Sequence, residues 1–307
     1  MEQSFPKDDA LRHIKFVGRP TISVPRLPER TKPLPLADRY DPRFRSERPN
    51  QFVSWVFQRA GLAVDSYRGE PLQRRLSACL RALHTETETQ ACQLLEQRPD
   101  LLSTALGVLL IGVTDFFRDP SVFETLRAEI LPQLASPARP LRIWSVGCSN
   151  GAELYSLAIM LAQVGLLEDS FLLGSDCRHD AIEQAQTGLY KSSEIRKIDP
   201  SDRCRYFEEA GSSWQPIEPL RRRIRWKVAD ITRDIEEGPW DIILWRNMSI
   251  YLNAETSASL WRGLASALAP NGVLIVGKTE RPPAELPLIN VSRCIYRSCS
   301  RDGGLAV

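Results

Sequence analysis

The stretch from Leu141 to Ser156 constrains this chain more than any other. Ile143 to Val146 predict a short buried strand. Gly147, Ser149 and Gly151 predict a tight turn, and Glu153 to Gln163 a helix with Leu154, Leu157, Ala158 and Leu161 on one face. A strand, a turn of small residues and a helix open a nucleotide-binding α/β sheet. Thirty residues on, Phe171 to Asp176 predicts a second strand that ends in a carboxylate. That carboxylate is placed to accept hydrogen bonds from ribose hydroxyls, although capping a helix that starts near His179 would also explain it. Together the two strands predict an adenosine-type ligand.

Further strands are expected at 224–228, 241–245 and 273–277, with a last one near 293–298, and helices at 179–187, 199–207 and 255–268. Strand alternating with helix implies a mostly parallel sheet covered on both faces. The stretch 206–227 breaks the alternation and predicts a small β insertion. Upstream, periodic apolar positions predict a helical domain over 50–135. Its helices run from Phe52 to Arg59, through Leu72, Leu76, Leu80 and Leu83, over 89–97, over 101–113 and over 123–134. Arg74, Arg75 and Arg81 then lie along one helix. The α/β part fills 136–303. Residues 1–49 hold eight prolines and little apolar periodicity, which predicts a disordered Pro/Arg-rich tail.

Composition enters by what it excludes. Residues 1–50 carry 11 Lys+Arg and 7 Asp+Glu, so the small net charge of +2 is a basic start on a slightly acidic remainder. No apolar run approaches the ~18 residues of a membrane span, and residues 1–30 hold no signal-peptide core. Seven cysteines with no C-x-x-C pair, and three scattered histidines, predict free thiols in a cytoplasmic setting and no metal. The Arg221–Arg225 run with Lys227 fits either a solvated face or a docking patch for an acidic partner.

Several polar residues sit where a ligand would be met. Thr114 and Arg118 flank Phe116 and Phe117. They fit either a cleft between the two domains, with Arg118 forking a carboxylate, or a helix start with both phenylalanines in the core. Glu153 fits a helix-dipole partner or a partner for a cationic ligand group such as an ammonium. Arg246, Asn247 and Tyr251 follow the 241–245 strand, at the edge where open α/β sheets bind ligands, unless Arg246 is a buried ion pair and Tyr251 a core residue.

Over residues 50–300 the chain resembles the chemotaxis-receptor methyltransferases (CheR type). Six blocks carry the likeness in sequence order: the helical segment with Leu72 to Leu76, Thr114 to Asp119, Trp144 to Ser156, Asp176 through Gly188 and Tyr190, Arg246 to Tyr251, and Gly272 through Gly277 to Glu280. The resemblance implies an S-adenosylmethionine-dependent methyltransferase fold, Rossmann-like, with an N-terminal helical domain. It implies methyl transfer to a glutamate carboxylate of a chemoreceptor or related sensory protein. It implies Thr114, Arg118, Gly147, Glu153, Asp176, Asp230, Ile231, Arg246 and Asn247 as cofactor contacts, Arg118 and Tyr251 as catalytic residues, and Arg74, Arg75 and Arg81 facing acidic receptor helices. Glu153 would meet the methionine ammonium, Asp176 the ribose and Asp230 the adenine amino group. A monomer without nucleic-acid or membrane insertion is expected.

The chain departs from the family pattern at Gly112, Ala152, Leu154, Asp230-Ile231, Trp245 and Lys278. These departures set a second reading beside the first: a module that binds S-adenosylmethionine or docks a signalling partner with little turnover. A nucleic-acid methyltransferase is disfavoured because no Asn-Pro-Pro-Tyr follows the 241–245 strand, and a dehydrogenase because the first turn lacks G-x-G-x-x-G.

Overall fold

The structure is a computed structural model and describes residues 49–299 except 111, 113, 137 and 138. The tail expected over 1–49 lies, but for Pro49, outside the described residues.

The chain opens with helices α1 (Gln51–Arg59), α2 (Gly69–Gln73), α3 (Leu76–Ala82), α4 (Glu88–Gln97) and α5 (Leu102–Leu109). Local chemistry sets their starts. The Asn50 side chain accepts from the Val53 amide at 2.9 Å, and Thr87 with Gln90 forms a reciprocal capping box on α4. The single helix expected through Leu72 to Leu83 is two. At Arg75 the backbone bond tightens onto Leu72 three residues back, and a new helix starts at Leu76. Arg74, Arg75 and Arg81 therefore do not share one continuous helix. Likewise α5 stops at Leu109 instead of 113. Leu110 turns extended (φ −99°, ψ 89°) and leads the chain out toward the cleft described below. Next, α6 (Pro120–Thr125) continues through a π-helical stretch, Leu126–Ile130, into α7 (Leu131–Leu134); it starts three residues before the expected 123.

The α/β part follows as β1 (Leu141–Val146), α8 (Ala152–Gln163), β2 (Ser170–Asp176), α9 (His179–Thr187), β3 (Tyr190–Lys191), α10 (Pro200–Tyr206), β4 (Phe207–Ala210), β5 (Ser213–Pro216), α11 (Glu218–Arg221), β6 (Ile224–Val228), β7 (Trp240–Trp245), α12 (Ala254–Ala267), β8 (Leu268–Val276), β9 (Leu288–Ser292) and β10 (Ile295–Ser298). The main sheet runs in the order β6-β2-β1-β7-β8-β10-β9. β6, β2, β1, β7 and β8 pair parallel, and β10 and β9 are added antiparallel at one end. The single last strand expected near 293–298 is a hairpin, reversed at Cys294 in the left-handed region (φ 68°).

β3, β5 and β4 form a separate three-stranded sheet, while β6 pairs with β2 in the main one. The small β insertion thus ends before Ile224, not at 227, and recruits Tyr190 and Lys191 from upstream. The arginine run is largely paired: Arg222 with Glu218, Arg223 with Glu168, Arg221 with Glu208 and Lys227 with Glu236. That arrangement fits the solvated-face reading.

Parallel strands covered on both faces read as continuous apolar runs. β7 does so: Trp240, Ile242, Ile243, Leu244 and Trp245 are all buried. The departure at Trp245 has a packing reason, because its ring meets Trp261 of α12 edge-on at 4.5 Å. Strand order turns back at β1, with β2 and β6 on one side and β7 and β8 on the other. Such a switch point opens a crevice beyond the carboxyl ends of β1 and β7. Among the described residues no helix is long and apolar enough to cross a membrane.

Candidate active site

At that switch point lies a cleft open to solvent. Thr114, Arg118, Gly147, Glu153, Asp176, Asp230, Ile231, Arg246, Asn247 and Tyr251 all line it. Residues more than a hundred apart in sequence converge because each follows the carboxyl end of a strand, or the exit of the helical part over it.

Gly147 forms the floor. Its φ is +63°, and a Cβ there would stand 2.4 Å from Met248 Sδ, so both the turn after β1 and the packing of Met248 over it require glycine. Asp176 ends β2. One of its oxygens accepts from the Ser149 amide at 2.9 Å, and the other from the Arg178 amide and Nε at 3.0 and 3.2 Å. Asp176 thus ties the first turn to the α9 start, although the formal N-cap of α9 is Arg178. Asp230 follows β6. Its Oδ1 accepts from the Thr232 amide and hydroxyl, whereas its buried Oδ2 accepts no hydrogen bond among the described residues.

The segment from Thr114 to Asp119 satisfies both readings of its sequence. Phe116 is in the core, edge-on to Tyr190 at 4.8 Å and to Phe207 at 5.5 Å. Thr114 and Arg118 reach the cleft. Phe117 and Asp119 both adopt left-handed backbone (φ 49° and 59°), a conformation that costs a non-glycine residue about 1–3 kcal/mol and must be held from outside. Ser156 Oγ accepts from the Phe117 amide at 2.9 Å. Arg246 donates to the Arg118 carbonyl at 3.1 Å, to Glu153 at 2.8 Å and to Asp119, which also pairs with Lys278. Burial alone would raise the Asp119 carboxyl. The Lys278 hydrogen bond and the charges of Arg246, Lys278 and Arg118 outweigh it and hold that carboxyl below its ordinary value. Arg246 is therefore, as one of the two sequence readings had it, a buried ion-pair residue. It also lines the cleft, and its partner Glu153 is the carboxylate expected to meet an ammonium.

The loop after β7 hangs on a carboxylate. Glu280 is 3 % exposed, and its two oxygens accept four hydrogen bonds: from the amides of Asn247 (2.8 Å), Gly277 (2.7 Å) and Ser249 (2.9 Å), and from the Ser249 hydroxyl (2.8 Å). Asn247 turns left-handed within it (φ 60°). The loop's far end is clamped by the helical part, where the Arg68 amide donates to the Tyr251 carbonyl at 2.8 Å and Asn253 donates to Ser66 at 2.9 Å. Burial pushes the Tyr251 phenol above its ordinary value, against the lowering effect of Arg75, Arg178 and Arg118, so it stays protonated at neutral pH. Tyr251 also lines an adjoining groove with Arg68, Glu70, Arg74, Arg75 and Ile250. Arg81 is exposed on α3 and does not line that groove. Arg74 pairs with Glu70.

Tyr67, Arg178 and Met248 are among the lining residues that carry no assignment from sequence, and Glu280, which holds the loop after β7, is another functional residue without one. Tyr67 follows a short 3-10 turn (Val64–Ser66) in extended backbone, bridged to Leu252, packed edge-on to Phe57 at 5.0 Å and buried against the cleft. A tyrosine amid polar residues gives no such signal. Glu280, by contrast, closes one of the six blocks and was findable there as a carboxylate directly after an apolar strand.

The cleft fits an adenosyl sulfonium ligand. Asp176 keeps an acceptor position for a ribose hydroxyl, and the cleft-lining Glu153 carboxylate suits a cationic tail. A family model described as CheR methyltransferase, SAM binding domain, matches residues 112–292. A chemotaxis protein methyltransferase of Listeria monocytogenes is 28 % identical over 248 residues, covering 80 % of this chain and 95 % of that protein. One of Salmonella typhimurium is 28 % identical over 239 residues, covering 73 % and 80 %. A probable biofilm formation methyltransferase, WspC of Pseudomonas aeruginosa, is 29 % identical over 238 residues, covering 75 % of this chain and 56 % of its own. With the family model spanning more than half of its length and this cleft at its centre, the chain belongs to the CheR family of S-adenosylmethionine-dependent methyltransferases.

Proposed function

We propose that this enzyme methylates a glutamate side chain of a chemoreceptor or related sensory protein. Tyr251 carries the reading, because it lines both the cofactor cleft and the arginine groove. Arg74 and Arg75 in the groove suit an acidic helix. An acceptor laid across it reaches the cleft at the phenol.

S-adenosylmethionine supplies an electrophilic methyl on a good leaving group. The acceptor carboxylate is already ionised at pH 7, so no general base is needed. The protein's part is alignment and exclusion of water. Arg118 and the protonated Tyr251 phenol donate to one carboxylate oxygen, leaving the other to attack. An O–CH₃ bond forms as the S–CH₃ bond breaks, yielding a neutral ester and S-adenosylhomocysteine. Glu153 would hold the methionine ammonium with its second oxygen, Asp176 and Thr114 would meet the ribose side, and Asp230 with Ile231 would meet adenine. Arg246 and Asn247 act by shaping this wall.

The test is incubation of the full chain with methyl-labelled cofactor and receptor fragments, followed by peptide mapping of base-labile esters. Label on glutamate supports the reading. Binding of S-adenosylhomocysteine with no transfer to any sensory fragment supports the alternative of a non-catalytic binding module.

A further inference from the structure

Arg178 is an arginine turned inward. It begins α9, where a long cationic side chain usually reaches solvent, yet the residue is 8 % exposed and lines the cofactor cleft. Its Nε pairs with Asp176 at 3.2 Å, and its Nη2 donates to Ser149 Oγ at 3.1 Å, whose own hydroxyl donates to the Gly112 carbonyl at 2.7 Å. The space it occupies exists because residue 112 is glycine. A Cβ there would stand 2.1 Å from Nη2 and 2.7 Å from Cζ. Burying a guanidinium so deep is unfavourable without a full set of partners. Its Nη1 donates no hydrogen bond among the described residues.

Counting acceptor positions on Asp176 shows what the arginine adds. Oδ1 already accepts twice and Oδ2 once, which leaves one position for a ligand donor. A ribose presents two neighbouring hydroxyls, each with oxygen lone pairs as well as a proton. Asp176 in this arrangement can take the proton of one. A donor is wanted for the oxygen of the other, and Nη1 of the cleft-lining Arg178 is the donor its hydrogen bonds leave unused.

We propose that Arg178 is a ribose-recognition residue: its Nη1 donates to one ribose hydroxyl oxygen of the cofactor while Asp176 accepts from the neighbouring hydroxyl, and Gly112 is the residue that admits it. The proposal rests on S-adenosylmethionine being the ligand of this cleft. It makes recognition of the sugar a property of an arginine–aspartate pair and not of Asp176 alone.

Calorimetry on the full chain tests it, with S-adenosylhomocysteine and its 2′-deoxy and 3′-deoxy analogues as probes. Wild-type protein is expected to lose at least tenfold in affinity for one of the two analogues. Arg178→Met is expected to bind S-adenosylhomocysteine at least tenfold more weakly than wild type and to discriminate against that analogue by less than threefold. Gly112→Ala, which displaces the guanidinium but leaves it in the chain, is expected to copy Arg178→Met, and the double variant to be no weaker than either. If Arg178→Met fails to fold, Gly112→Ala gives the same readout. Arg178→Met with wild-type affinity overturns the proposal. So does weakened binding with the wild-type discrimination between ribose and deoxyribose intact, because a merely supportive arginine would weaken all three probes alike. Wild-type protein that binds none of the probes overturns the cofactor reading as well.

Discussion

Replacing Glu280 by glutamine removes one oxygen from the acceptor that organises the loop after β7. The carboxylate takes four hydrogen bonds: two at Oε2, from Asn247 and Gly277, and two at Oε1, from the Ser249 amide and hydroxyl. A glutamine amide keeps one oxygen and turns an NH₂ toward the other pair. Its better orientation puts the NH₂ at Ser249, whose hydroxyl can rotate to accept. The Ser249 amide then has no acceptor, and a buried orphan donor costs ~1–3 kcal/mol. The Asn247 and Gly277 amides pass from a charged to a neutral acceptor, which loses about 1 kcal/mol each. Against this, a buried amide is cheaper to desolvate than a carboxylate. The net expectation is a destabilisation of roughly 2–3 kcal/mol. For a domain of this size that lowers the thermal midpoint by about 4–12 °C. Circular-dichroism melts of wild type and Glu280→Gln at pH 7 measure it. Because the same amides flank Arg246 and lead into Tyr251, turnover is expected to fall at least tenfold below the midpoint of either protein. A midpoint within about 2 °C of wild type would refute the reasoning, since it would mean that the loop does not depend on the charged acceptor.

Arg118→Ala is expected to lower turnover more than tenfold while leaving S-adenosylhomocysteine bound, and Tyr251→Phe to lower it by a smaller factor, both read by labelled methyl transfer under saturating cofactor. The Asp119 carboxyl is held below its unfolded value, so its ion pairs with Arg246 and Lys278 stabilise the fold fully above about pH 4 and lose that effect as pH falls through the lower folded value. Denaturant titrations of Asp119→Asn should therefore show a deficit at pH 6–7 that shrinks in acid; a deficit independent of pH would contradict the assignment. Asp241 is fully buried, accepts both Nη groups of Arg139 at 2.8 and 2.6 Å and also the Arg142 amide at 2.9 Å. Asp241→Asn should cost about 2–4 kcal/mol in urea unfolding without changing cofactor affinity, because it lies at the opposite end of β7 from the cleft.

The main sheet was legible because its strands are buried on both faces. Ile143 to Val146, Phe171 to Asp176 and the 241–245 stretch read as mainly apolar runs stopped by a turn and lie within about a residue of the observed strands, whereas β8 starts at Leu268, five residues before the expected 273. The β9–β10 hairpin was half seen, since Ile289 and Val291 are exposed on an edge strand and give no burial signal. The leucine spacing from Leu72 to Leu83 predicts one helix where there are two, because it continues across a break that only hydrogen bonding at Arg75 reveals. At the site, residues placed just beyond strand ends were readable from position alone. Arg178 and Tyr67 were not, because each owes its place to a partner distant in sequence: a missing side chain at Gly112 for one, and the bridge to Leu252 for the other. The pairing of Glu153 with Arg246 was open in the sequence as two separate alternatives, and the structure joins them in one network.

The most direct measurement is label transfer from methyl-labelled S-adenosylmethionine to a chemoreceptor cytoplasmic fragment by the full chain, with wild type and Arg118→Ala run side by side. The expected result is a base-labile ester mapped to a glutamate with wild type, and at least tenfold less of it with the variant. Base-stable label on another residue type, or equal label with both proteins, would contradict the account.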